Sequence, residues 1–297
     1  MSTEPDADWR SPTEGPGDGL PGFVQGRGDP VVFLPGLSFT HGVPTGPIRA
    51  FESGLLGPLS RALTLHWTSR RVGVPPGYRM ADFAADYADD IRRRFDRPMP
   101  VIGFSTGGSI GLQLALDHPE VVERLVVVAA DARLSDGTRA SNLRWIDDLR
   151  RGDVSAAWQE MGTDMIAEPG PSGRLRSLMA AAGARMTPED CTDGMRTAEA
   201  ELDFDLTGEL ARIPTPTLLV VGTTDASTSP GAAMRTQASL PAGEVLVLPH
   251  VGHLGSLLDR GAIARIRDFV RGSRAPDAPP PMRSGRAALG RGPTPGA

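Results

Sequence analysis

The sequence predicts an α/β protein: a mostly parallel, doubly wound sheet with a helical cap inserted between two of its strands. Short Val- and Leu-rich runs alternate with amphipathic stretches along most of the chain, the rhythm that βαβ units require. One such run, Pro100–Phe104, passes through Gly103-Phe104-Ser105-Thr106-Gly107 directly into helix-forming sequence. Residues 133–212 break the rhythm, with helical segments and no strand-like run.

In order, Val31–Leu34 is the first buried-strand candidate and ends at Pro35-Gly36. Leu63–Trp67 is a second. Met80–Phe95 places Phe83, Tyr87, Ile91 and Phe95 four apart, the spacing of one helix face. Pro100–Phe104 is the next strand, and Ile110–Leu116 continues a helix that stops near His118-Pro119, because a residue before proline is pushed out of helical geometry. Leu125–Ala130 and Leu218–Val221 are strands, Glu244–Leu248 is a last short one, and Ile263–Val270 is a closing helix. The expected core is therefore 29–132 with 213–272, and no internal repeat is visible.

Between them, 133–212 carries Trp145, Trp158, Met161, Met165, Met179, Met186 and Met195 on helical segments. Such residues usually pack against one another, but in a cap some must face the space beneath it. The two ends differ in kind. Residues 1–28 are rich in Pro, Gly and acids, and 273–297 in Pro, Gly and Arg. Neither composition buries enough apolar surface to offset the entropy of ordering it, so both are expected to be disordered tails.

Composition narrows the function classes. The formal net charge is −5, and all 31 basic residues are arginine; an acidic chain of this kind is a poor match for nucleic acid. No run of 18 or more apolar residues is present, so no membrane insertion is expected. The acidic start lacks the basic and apolar regions of a secretory signal. Cys191 is the single cysteine, which excludes an internal disulfide and a cysteine metal cluster and suits a reducing cytoplasm.

Gly-x-Ser-x-Gly is the pattern of a nucleophile elbow, a sharp strand-to-helix turn that holds a serine in a strained conformation. Side chains two residues away on either side would clash there. The helix that follows aims its N-terminus at the site and adds backbone donors. In a chain with 36 glycines the pattern also arises by chance, and Gly107-Gly108-Ser109-Ile110-Gly111 is a second match. Context separates the two: Ser105 stands at the turn, whereas Ser109 lies one turn inside the helix.

The segment GFSTGGSIGLQLALDHPEVVERLVVVAA resembles the central portion of α/β-hydrolases, with elbow, helix, His-Pro bend and next strand in that order. The resemblance spans roughly residues 22–272 and is loosest in the cap. A serine hydroxyl attacks carbonyl carbon only when an imidazole removes its proton and a carboxylate orients that imidazole. His253, in LPHVGHLGSLLD, resembles the family's histidine loop. His250, three residues earlier, lacks the preceding glycine, and the His-x-x-His spacing has no third ligand to make a metal site. Asp225, in VVGTTDASTSP, resembles the acid loop, and the chain order Ser105, Asp225, His253 is the family's order. Asp131 is the rival acid, since some members carry theirs at the end of that earlier strand.

The family's oxyanion hole implies backbone N–H donors from Thr106 and from the loop LPGLSFTHG. By position the second donor is Leu37, with Ser38 as its neighbour; Pro35-Gly36 stands where the family often has His-Gly. A serine rather than an aspartate at the elbow argues against epoxide hydrolases and haloalkane dehalogenases. The resemblance thus implies a cofactor-free serine hydrolase acting on a small or medium acyl ester, lactone or thioester. Hydrolysis of a C–C bond beside a ketone is an alternative within the family. A non-catalytic small-molecule receptor on the same scaffold is one outside it. A nicotinamide enzyme is disfavoured, because no G-x-G-x-x-G follows a first strand.

Overall fold

The structure, a computed structural model, describes residues 13–14, 19–165 and 172–272. The expectations for 273–297 and for the first residues of 1–28 fall outside those described. Eight strands form one sheet: β1 (Thr13–Glu14), β2 (Gly22–Gly26), β3 (Asp29–Leu34), β4 (Leu63–Thr68), β5 (Met99–Phe104), β6 (Val122–Val128), β7 (Thr217–Gly222) and β8 (Gly243–Leu248). Their spatial order is β1-β2-β4-β3-β5-β6-β7-β8. The pairs from β4 onward are parallel, while β1–β2 and β2–β4 are antiparallel.

The helices are α1 (Gly46–Ser60), α2 (Met80–Arg94), α3 (Thr106–Asp117), α4 (Asp136–Arg150), α5 (Val154–Met165), α6 (Ser172–Met186), α7 (Thr192–Leu202), α8 (Pro230–Ser239) and α9 (Arg260–Val270). Alternation along each strand splits the core into two layers. Val32, Leu34, Val101, Leu125, Val127, Leu219 and Val221 pack on the face covered by α2, α3 and α8, where Phe83, Tyr87 and Ile91 supply the stripe of α2. Val31, Phe33, Ile102, Val126, Val128 and Leu218 pack on the opposite face against Leu56 and Leu59 of α1 and Ile266 and Phe269 of α9. Each of these side chains is buried on one layer or the other, at about 1.5–3 kcal/mol for a large apolar group. A period of two with both faces filled is what a doubly wound sheet demands.

Four elements escaped the sequence, β1 (Thr13–Glu14), β2, α1 and α8. Strand β2 lies inside the stretch 1–28 expected to be a tail; Phe23 is fully buried and stacks on Trp67 at 4.9 Å, so the folded domain starts earlier than residue 29. Its flanking glycines disguised it as linker sequence. Helix α1 contains Pro47, Gly54, Gly57 and Pro58, poor helix formers that are held by packing on β2 and β4. Helix α8 is short, starting at the N-cap Ser229, whose side chain accepts from the Ala232 amide, followed by Pro230. Phe95 closes α2 in extended geometry rather than continuing it, and packs on His66 with ring centroids 5.0 Å apart.

Helices α4 to α7 fill the interval between β6 and β7, with an isolated bridge between Arg133 and Asp205. Their own small core holds Trp145, Ile146, Leu149, Ala157, Met161 and Ala198 together with Phe39 from the loop after β3. Phe39 stacks on Trp158 at 4.7 Å and tilts against Trp145 at 5.2 Å, which ties this layer to the sheet. The chain leaves β3 toward β4 on one side and returns to β5 on the other. The crevice at the C-terminal ends of β3 and β5 is therefore the switch point of the sheet, where open α/β folds bind ligands.

Candidate active site

At that crevice β5 turns into α3 through Ser105, which has φ 54° and ψ −127°. A positive φ on a residue with a side chain is strained and persists only where the surroundings impose it. Here they do. The Ser105 amide donates to Val128 O at 2.9 Å. A Cβ on Gly103 would lie 2.3 Å from Gly107 O, and one on Gly107 would lie 2.1 Å from Leu34 O. The two glycines of the motif are thus required by close backbone approach. Gly36 brings the loop after β3 over the serine, since a Cβ there would sit 3.2 Å from Ser105 Cβ.

The acid loop follows β7 and the histidine loop follows β8, adjacent strands at one end of the sheet. His253 Nδ1 lies 3.0 Å from both carboxylate oxygens of Asp225. A carboxylate only accepts, so Nδ1 carries the proton and Nε2 is left with its lone pair. The Asp225 carboxylate also accepts from the Ser227 amide at 2.8 Å, and its side chain is fully buried. Phe104 flanks the imidazole, with ring centroids 5.0 Å apart.

The rival residues are engaged elsewhere. Asp131 Oδ1 accepts from the Ala132 amide at 2.8 Å and from the Thr236 hydroxyl. His250 is exposed at φ 59°, and its amide donates to Thr223 Oγ1 at 2.8 Å. Ser109 donates its hydroxyl to Glu201 Oε1 at 2.9 Å.

Ser105, His253, Leu37 and Thr106 all line one cavity of about 80 Å³. The ends of β3, β5 and β6 form its floor, and Asn142, Trp145, Met161 and Glu201 of α4, α5 and α7 close it from above. Of the Met and Trp residues in this layer, Trp145 and Met161 therefore face the cavity. Trp158 instead packs on Phe39 and donates to Thr187 Oγ1 at 2.8 Å, and Met186 is exposed. The side chains of Met165 and Met179 lie outside those described.

Two charged groups behind the site carried no sequence signal. Arg70, just beyond β4, is fully buried and donates to Pro35 O and Gly36 O at 3.0 Å, to Ser38 Oγ at 2.8 Å and to His41 Nε2 at 2.9 Å. It grips the loop that carries the Leu37 amide. His41 Nδ1 faces Arg71 O at 2.8 Å and must donate to it, so Nε2 accepts from Arg70. Burial, reinforced by Arg70, drops the His41 pKa to about 3 and keeps the ring neutral. Glu201 of α7 accepts from Thr106 Oγ1 at 2.8 Å and from Ser109 Oγ at 2.9 Å. Burial pushes its carboxyl up, while those two hydroxyls and Arg70 hold it down. Neither residue stands in a recognisable motif; each is found only by asking what its helix or loop packs against.

A sheet whose switch-point turn carries a strained serine at a helix N-terminus defines the hydrolase class of α/β architectures. The chain belongs to the alpha/beta hydrolase fold family, whose family model matches residues 60–259. It is similar to RutD of Serratia proteamaculans, with 30% identity over 240 residues that cover 75% of this chain and 90% of that protein. It is also similar to the pimeloyl-acyl-carrier-protein methyl ester esterase of Nitrosomonas europaea, with 28% identity across 77% of this chain and 90% of that enzyme. Among solved structures, a hydrolase from Pseudomonas aeruginosa superposes with a TM-score of 0.67 at 21% identity, covering 88% of this chain and 98% of that one. This last likeness is one of fold. No helix among the described residues is long and apolar enough to cross a membrane.

Proposed function

We propose that the protein is a serine esterase that cleaves a small acyl ester through an acyl-enzyme on Ser105. The observation that carries this reading is the Asp225–His253 pair, 3.0 Å apart, with His253 and Ser105 on the wall of one cavity. His253 Nε2 takes the Ser105 proton as Oγ attacks the ester carbon, and Asp225 stabilises the imidazolium formed. The oxyanion of the tetrahedral intermediate meets the N–H groups of Leu37 and Thr106; the latter is the first residue of α3, so its amide has no carbonyl partner within the helix. His253 then returns the proton to the departing alcohol. Water, deprotonated by the same imidazole, releases the acid.

Cavity size supports a short acyl group. About 80 Å³ holds roughly five to eight water molecules, comparable to a few non-hydrogen atoms. A larger groove of about 540 Å³ adjoins it across Asp131, Arg133, Ser227 and Thr228 and offers room for the leaving group. The esterase name of the Nitrosomonas relative fits the same bond type. The lone Cys191 and the absence of any need for a disulfide suit a cytoplasmic enzyme.

The test is a series of p-nitrophenyl esters of increasing acyl length, run beside Ser105→Ala and a fluorophosphonate label. Turnover and labelling should both vanish in Ser105→Ala, with activity down on the order of 10³-fold or more. Turnover and labelling that survive this replacement would remove Ser105 from the reaction.

A further inference from the structure

One buried side-chain donor on the cavity's upper wall has no hydrogen-bond partner: the Trp145 indole Nε1. Trp145 is 2% and Asn142 7% exposed, and both line the same cavity as Ser105 and His253. They stand three residues apart on α4, hence on one face of it. The Asn142 side chain is directed at the Glu201 carboxyl and helps hold it down, so its amide has that acceptor opposite it, and the Trp145 N–H is the donor with none. Most buried polar groups in a folded protein are paired, so an orphaned N–H on the wall of a reactive cavity calls for a partner from outside the chain.

We propose that Trp145, with Asn142 beside it, forms a recognition site for a second oxygen of the substrate, so that the preferred acyl group carries a neutral carbonyl besides the ester being cleaved. The inference rests on the esterase reading and specifies its substrate. An indole N–H is a donor only, so the ligand atom facing it is an acceptor. Neutrality follows from Glu201, whose carboxyl lines the same cavity, is 3% exposed and accepts from Thr106 and Ser109 on its two oxygens, while Arg133, the cation of the lining, is exposed to solvent. A substrate carboxylate would stand beside it. A plain alkyl chain would fill the space and leave the Trp145 N–H desolvated and unpaired, which a site built for an acceptor discriminates against.

Methyl 3-oxobutanoate and methyl 4-oxopentanoate, their unsubstituted alkyl counterparts and monomethyl succinate are the probes. The wild-type enzyme should turn over the better oxo ester at least tenfold more efficiently in kcat/KM than the alkyl ester of equal length, and reject monomethyl succinate. Trp145→Phe keeps an aromatic ring, smaller than the indole, and removes the N–H; Asn142→Leu keeps the shape and removes the amide. Trp145→Phe should lose about tenfold more on the oxo ester than on the alkyl ester, equivalent to about 1.4 kcal/mol, and Asn142→Leu should shift the preference in the same direction. The same esters are titrated calorimetrically into Ser105→Ala, with and without Trp145→Phe. Oxo-selective binding that depends on Trp145 upholds the site even if wild type hydrolyses no ester, in which case only the esterase reading falls. Equal losses on both ester types, no loss in either variant, or a preference for monomethyl succinate overturns it.

Discussion

His253 and Asp225 come from loops after neighbouring parallel strands, and the imidazole Nδ1 sits 3.0 Å from each oxygen of the carboxylate. Asp225→Asn should lower kcat by at least about 10²-fold with a small change in KM, because the amide can donate toward the ring and favour the tautomer whose Nε2 no longer accepts. Asp131→Asn should stay within a few fold of wild type, since its carboxyl bonds Thr236 and the Ala132 amide. Steady-state kinetics of both variants on the best ester decides it. A crippled Asp131→Asn beside an intact Asp225→Asn would transfer the acid to the end of β6.

The second serine of the overlapping motif should prove structural. Ser109→Ala removes one hydroxyl from Glu201 and should cost about 1–2 kcal/mol in stability while fluorophosphonate labelling persists. Labelling followed by intact mass reports the first, and denaturant unfolding the second. Loss of labelling in a folded Ser109→Ala protein would contradict the assignment of Ser105.

Arg70 should matter to rate without touching substrate. It is absent from the residues lining the cavity, and Arg70→Gln abandons the carbonyls of Pro35 and Gly36 that place the Leu37 amide. The expected outcome is a loss of about 2–4 kcal/mol in unfolding free energy. Among molecules that remain folded, kcat should fall more than KM changes, because oxyanion contacts strengthen in the transition state. A folded Arg70→Gln enzyme with wild-type kcat would show that the loop holds its shape without the clamp.

The neutral His41 predicts a pH signature. Folded, it titrates at about 3; unfolded, near 6.5. Between those values the unfolded chain binds the extra proton, so this group makes stability rise with pH across the window and fall on acidification. His66, lowered to about 4 by burial and Arg94, acts in the same sense; Glu201, whose pKa is raised, acts oppositely above its unfolded value of 4.5. The diagnostic is therefore a difference. Between pH 7 and pH 5 wild type should lose more stability than His41→Gln, by up to about 2 kcal/mol in urea titrations. Parallel losses would mean that His41 titrates normally in the fold.

What the sequence determined by itself is the local and the periodic. Alternating runs such as Val31–Leu34 and Leu218–Val221 can bury both faces only inside a parallel sheet. The fourfold spacing of Phe83, Tyr87 and Ile91 has one solution, a helix laid on that sheet. Gly103 and Gly107 announce a turn whose backbone approaches leave no room for a Cβ. Strand β2 and helix α1 were hidden because their stability comes from neighbours far along the chain rather than from propensity. The sequence favoured Asp225 over Asp131 by the resemblance of its loop, and the tertiary structure brings Asp225 to His253 while Asp131 accepts from Thr236. Tertiary structure alone brought Arg70 onto the loop after β3, and Glu201, 95 residues beyond Thr106, onto that residue's hydroxyl. Trp145 reads in sequence as packing, and it does pack against Phe39. That its indole N–H is left unpaired at the cavity is a property of how α4 lies over the sheet, which no local pattern encodes.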